Sequence, residues 1–322
     1  MNLFSVIYSR LMLLLTVFFL SLFPLARPAI AADVKLDYIY NLSDFNGMIP
    51  FSWVNFGVDQ KANELYVVDP SDQTVEVFNN AGLMVHSFGD EGEFGAIRRL
   101  AVDEDGTIYL LSSMGPRSQV SIADFRGELK GTLNFTGLPP LFTENFAPDR
   151  IFYRDGHLYL VDTYDFKVLI TDRSGNYQDG FAFDSMIGVN YKKRSDFDIR
   201  GFTVDRDGYI IFTIPVQSLV YLITPDRKVT SFGRRGSSPG KFNVVGGVAA
   251  DKRGYLYVTD TLRCVVMVFA RDKDFSFCGE FGYRGWDPDN LIAPMEVAVL
   301  GDFVYVAQSA KRGVSVFRIT IN

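Results

Sequence analysis

The feature that most constrains this chain is an internal repeat. From Gly57 onward six segments share one pattern, seen plainly in GVDQKANELYVVD from Gly57, AVDEDGTIYLLSS from Ala101 and AADKRGYLYVTDT from Ala249. Each opens with a short apolar strand and breaks at an Asp-Gly type turn such as Asp105-Gly106, which tolerates the backbone dihedrals of a tight hairpin. A second strand follows, then a polar break, then a third strand of alternating apolar residues such as Val75 and Val77 or Val266 and Val268. The fourth closes on Phe-Gly, at Phe88-Gly89, Phe232-Gly233 and Phe281-Gly282. The second-strand anchors Tyr66, Tyr109, Tyr159, Ile211, Tyr257 and Tyr305 lie between 43 residues (Tyr66 to Tyr109) and 52 residues (Tyr159 to Ile211) apart, the length of one four-stranded blade. Helical spacing is nowhere sustained. The pattern predicts an all-β, six-bladed β-propeller.

The sixth copy runs out of chain after its third strand, at Ile319. An open edge there would be a template for unwanted pairing. The alternating segment Lys35 to Leu42 precedes the first blade and is expected to supply the missing strand, so the N-terminal strand closes the last blade.

Residues 1–32 read as a secretory signal peptide: Arg10 ends a short basic region, Leu11 to Ala26 is apolar apart from small or hydroxylated residues and Pro24, and Ala29-Ile30-Ala31 offers a cleavage site. An uncleaved anchor is the competing reading, although the apolar run is short for a bilayer span. Residues 33–322 then form a single propeller domain, exported to a periplasmic or extracellular location. Removing Arg10 and Arg27 leaves 30 bases against 38 acids, a charge of −8, which speaks against nucleic acid as a partner. Cys264 and Cys278 are the only cysteines; in an exported chain, on two strands of one hairpin, they suggest a disulfide, with two buried free thiols as the alternative.

The repeat resembles the NHL family over essentially the whole mature chain. The likeness is strongest in PGKFNVVGGVAADKRGYLYVTDT, from Pro239 to Thr261, and weakest in the fourth copy, where Ile214 stands in place of the family's Asp and Ile211 in place of Tyr. The resemblance implies a six-bladed propeller and little about activity, because this architecture carries many functions.

In such a ring the connectors from each outer strand to the next inner strand share one rim, the expected binding face. The two residues ahead of each inner strand, placed in register, are Val54 and Asn55, Arg98 and Arg99, Asp149 and Arg150, Arg200 and Gly201, Gly246 and Gly247, Met295 and Glu296. Arg98, Arg99, Arg150 and Arg200 thus stand near the channel mouth beside two acids. They form either a clamp for an anionic group or a set of structural ion pairs. Arg234 and Arg235 add positive charge to the connector after the fourth blade, and Trp53 and Trp286 fall in segments feeding the same rim. The aromatic-rich connector from Phe135 to Pro148 is read the same way, with burial between blades as the alternative to binding. The expected partner is a protein or an anionic glycan or small ligand.

Catalytic readings fit less well. His86 and His157 belong to an outer strand and to the far face, so a zinc lyase built on several inward histidines is excluded. A calcium-dependent hydrolase or lyase would have Asn55, Asp149 and Glu296 as its oxygen ligands, with the neighbouring arginines opposing a divalent cation. The leading expectation is therefore a binding propeller without a cofactor, and calcium is the alternative.

Overall fold

A computed structural model describes residues 34–44, 47–48, 54–69, 72–89, 91–115, 117–309 and 313–321. The signal segment and Trp53 lie outside the described residues. Six four-stranded antiparallel sheets succeed one another along the chain, with inner strands Asn55–Asp59, Ala96–Val102, Arg150–Arg154, Phe202–Val204, Val245–Ala250 and Pro294–Leu300. The last sheet takes its fourth strand from the N-terminus: Val34–Asn41 runs antiparallel to Val314–Ile321, with Val34 opposite Ile321 and Tyr38 opposite Phe317. The closure expected from the missing strand is present.

What holds the ring is visible in its apolar packing. Among the described residues, six clusters each draw from two successive blades, the last joining blade six to blade one through Ala298, Tyr305, Leu65 and Phe78. A lone sheet of this size would leave both faces wet; stacking each face on its neighbour removes both from water. The second-strand anchors supply much of that packing, and Tyr66, Tyr257 and Tyr305 are almost wholly buried.

The repeat's acids are turn locks. Asp103 Oδ1 accepts the backbone N–H groups of Asp105 and Thr107, and Asp205 and Asp251 bind their own turns identically. A second acid, at the end of the second strand, ties the opposite rim together. Asp260 accepts from Asn243 and Val244 in the incoming connector and from Leu262 and Arg263 in the following turn. Blade four lacks this lock, and Ile214 is buried in its place.

Two sequence expectations change. The cystine is not formed. Phe281 pairs with Val266, and Cys264 sits in the turn before that strand at φ 59°, so along the ladder it lies several residues beyond Cys278, and both thiols are free. The connector Phe135 to Pro148 seals the seam between blades two and three: Phe142 is 4% exposed and packs edge-on to Phe146 at 5.2 Å.

Candidate functional site

The channel mouth is set by register. The residues opposite the second-strand anchors are Gly57, Ala101, Phe152, Thr203, Ala249 and Ala298. Two positions earlier stand Asn55, Arg99, Arg150, Gly201, Gly247 and Glu296, the set that alignment of the repeats predicts. The ladder is interrupted at this level in three blades, between Ile97 and Arg99, Val245 and Val248, and Pro294 and Glu296, and such bulges re-aim side chains at a rim. Gly201 and Gly247 let neighbouring inner strands touch backbone to backbone. A Cβ on Gly201 would lie 2.6 Å from the Gly246 oxygen, and one on Gly247 2.8 Å from the Glu296 Cα. Blades four and five thus contribute no side chain at this level, which leaves it to Asn55, Arg99, Arg150 and Glu296.

Charge is unevenly satisfied there. Arg150 is largely buried and donates to Asp149 Oδ2 at 2.6 Å, and Asp149 also accepts from the Thr163 amide and hydroxyl. Arg99, half-buried, makes no hydrogen bond or ion pair among the described residues. Burial first, and then the Arg150 charge, pull its guanidinium down to about 10; the attraction of Glu296 and Asp149 does not compensate. At neutral pH it remains charged. Glu296 is likewise half-buried without a direct partner, and burial pushes its carboxyl up against the pull of Arg99, Arg150 and Arg200. Three guanidiniums and two carboxyl groups thus share the mouth, and among the described residues only Arg150 of the three arginines is closed into an ion pair.

Below the mouth the inner strands enclose a cavity of about 140 Å³ walled by Phe56, Phe152, Phe202, Val248 and Val297, with Arg99 and Glu296 at one end.

The remaining sequence candidates disperse. Arg98 is exposed at its bulge, its carbonyl accepting from Asn55 Nδ2 at 2.8 Å, and it takes no part in the charge set around Glu296. Arg234 and Arg235 are exposed on their connector and make no side-chain contact with that set. Trp286, at 74% exposure, is not buried between blades; with Leu262, Ile292 and Ala293 it lines an apolar groove on the mouth face. As calcium ligands Asn55, Asp149 and Glu296 do not fit. Asn55 is tied to the Arg98 carbonyl, Asp149 to Thr163 and Arg150, and the charges acting on Glu296 are arginines.

Sequence reasoning missed an apolar ring on the same face. Met114, Tyr164, Val216 and Leu262 each stand two residues past the end-of-strand position of Asp162 and Asp260, in four successive blades, and are 53%, 73%, 56% and 55% exposed. The signal was in the repeat alignment, where this column is apolar in these four copies although it falls at or just past the end of the second strand. Single exposed apolar residues are ordinary, whereas a recurring one beside uncommitted charge marks an interaction surface.

Six four-stranded blades around an axial channel make this chain a six-bladed β-propeller. Among solved structures it is similar to a streptogramin B lyase (TM-score 0.59, 12% identity, 90% of this chain and 98% of that one). It is also similar to a Bacteroides thetaiotaomicron protein of unknown function (TM-score 0.62, 13% identity, 90% and 76%). A third is the PQQ-bound aldose sugar dehydrogenase of Streptomyces coelicolor (TM-score 0.54, 11% identity, 90% and 99%). At these identities the likeness is one of fold. No family model matches the chain. No curated protein matches it. No helix among the described residues is long and apolar enough to cross a membrane.

Proposed function

We propose that this protein is an exported, non-catalytic binding propeller of the NHL type, whose mouth face receives an acidic segment of a protein partner. One observation carries the reading: Arg99 is half-buried and charged, is flanked by a second arginine, and has no partner of its own. Placing a lone cation in such a site is costly unless something anionic completes it, and arginine's planar fork suits a carboxylate. Arg200, exposed beside Glu296, extends the positive path outward. The apolar column Met114, Tyr164, Val216 and Leu262, with Trp286, supports a macromolecular partner over a free small anion, because it offers contact area away from the charge.

Fluorescence anisotropy with a labelled hexaglutamate peptide tests the reading. Binding that weakens with salt, and at least tenfold in Arg99→Ala with Arg200→Ala, is expected. Equal affinity in wild type and variant contradicts it.

A further inference from the structure

The opposite end of the channel carries a departure from the repeat. Asp59, Asp103, Asp205 and Asp251 lock the first turns of blades one, two, four and five through their own Oδ1 atoms. The equivalent positions in blades three and six are Arg154 and Leu300. These are the two blades with shorter turns: Arg154 pairs directly with His157, and Leu300 with Phe303, whereas Val102 pairs with Ile108 across a longer loop. In blade three the intervening Asp155 and Gly156 both adopt positive φ, 47° and 82°, so this hairpin holds itself and needs no locking carboxylate. Position 154 is released from a structural duty and carries an arginine.

That arginine faces other cations. Arg154 donates to the Val204 carbonyl of blade four at 2.9 Å, while its buried Nε has no partner among the described residues. It lines a cavity of about 280 Å³ with Arg206 and Lys252, and this cavity shares Gln60, Arg154, Ala250 and Val299 with the channel. Blade six contributes Gly301 at φ 60°, where an added Cβ would meet nothing closer than 4.0 Å, so the wall on that side stays open. The two acids of this cavity are spoken for. Asp251 holds its own turn, the Tyr257 hydroxyl and Arg253 Nε, and Asp302 lies 3.5 Å from Arg253 NH1. Arg253 is thereby neutralised. Arg206 donates to the Lys252 carbonyl and otherwise leans only distantly on Asp207 at 3.5 Å and Asp272 at 3.7 Å, and Lys252 Nζ has no partner among the described residues.

We propose that this vestibule, on the turn face, is a second binding site, one for a tetrahedral oxyanion: a phosphate or sulfate group, free or as the end of an ester. Cations from three successive blades converge on one polar space from different directions. A group with three or four acceptor oxygens satisfies them together, which a planar carboxylate cannot. The site is independent of the mouth and does not rest on the function proposed for it.

Calorimetric titration of the intact protein with inorganic phosphate, at low ionic strength in chloride, tests this. Saturable binding is expected, at least tenfold weaker in Arg154→Gln and in Lys252→Gln and unchanged in Arg99→Ala. Arg154→Gln retains an amide able to reach the Val204 carbonyl, and Lys252 is exposed, so Lys252→Gln decides the matter should the other variant fold poorly. Phenyl phosphate that displaces inorganic phosphate assigns the ester form, and failure to displace it assigns the free ion. Absence of saturable binding in wild type, or unchanged affinity in Lys252→Gln, overturns the proposal.

Discussion

Arg99 and Glu296 hold the same register position in blades two and six, each two residues ahead of the one paired with its blade's tyrosine anchor, and each feels the other's charge without forming an ion pair. This half-engagement contrasts with arginines such as Arg263 and Arg271, which are closed into pairs with Glu280 and Asp205.

The Glu296 carboxyl is raised by burial despite three opposing arginines, so the folded protein holds that proton more tightly than the unfolded chain. Stability from this group is complete below the unfolded value of about 4.3 and is lost as pH rises through the raised one. Glu296→Gln lacks this liability. Its melting temperature relative to wild type should therefore climb as pH rises above about 4; a difference that stays flat or falls with rising pH refutes the assignment.

Gly247→Ala should destabilise the fold by about 1–3 kcal/mol in chemical denaturation. The new Cβ would meet the Glu296 Cα at 2.8 Å and the Val297 nitrogen at 3.0 Å, backbone atoms of the next blade that cannot rotate away. A neutral effect would mean that blades five and six do not touch at the mouth.

Tyr257 donates its hydroxyl to Asp251 at 3.1 Å from a fully buried position. Tyr257→Phe should cost about 1 kcal/mol, and Asp251→Ala more, about 2–3 kcal/mol, because the turn amides of Arg253 and Tyr255 also lose their acceptor. Urea unfolding of the two variants checks the ranking, and a reversed order contradicts the turn-lock role.

Much of this was legible in the sequence because the repeat fixes register. Counting back from Tyr109 and Tyr305 places Arg99 and Glu296 correctly, and the absent fourth strand after Ile319 foretells the pairing of Val34 with Ile321. What failed depended on local offsets. The ladder slips at Cys278, and Cys264 adopts a turn conformation, so a hairpin seen in the sequence did not become a facing pair. Arg154 was hidden because the Asp-Gly pair of its shorter turn looks like the others while sitting one step out of phase. The burial of Phe142 is a tertiary outcome that local composition does not encode.

Purified without reductant and then unfolded, the protein should titrate with a thiol reagent for two free thiols per chain, from Cys264 and Cys278. A count near zero would show a cystine and a different register in blade five.

The most direct measurement is at the arginine side chains themselves. With Nε–Hε resonances assigned by single substitutions, addition of an acidic peptide should shift the Arg99 signal saturably and leave those of Arg98, Arg234 and Arg235 nearly unmoved. Saturable shifts confined to these exposed arginines, with Arg99 unchanged, would contradict anion capture at the mouth.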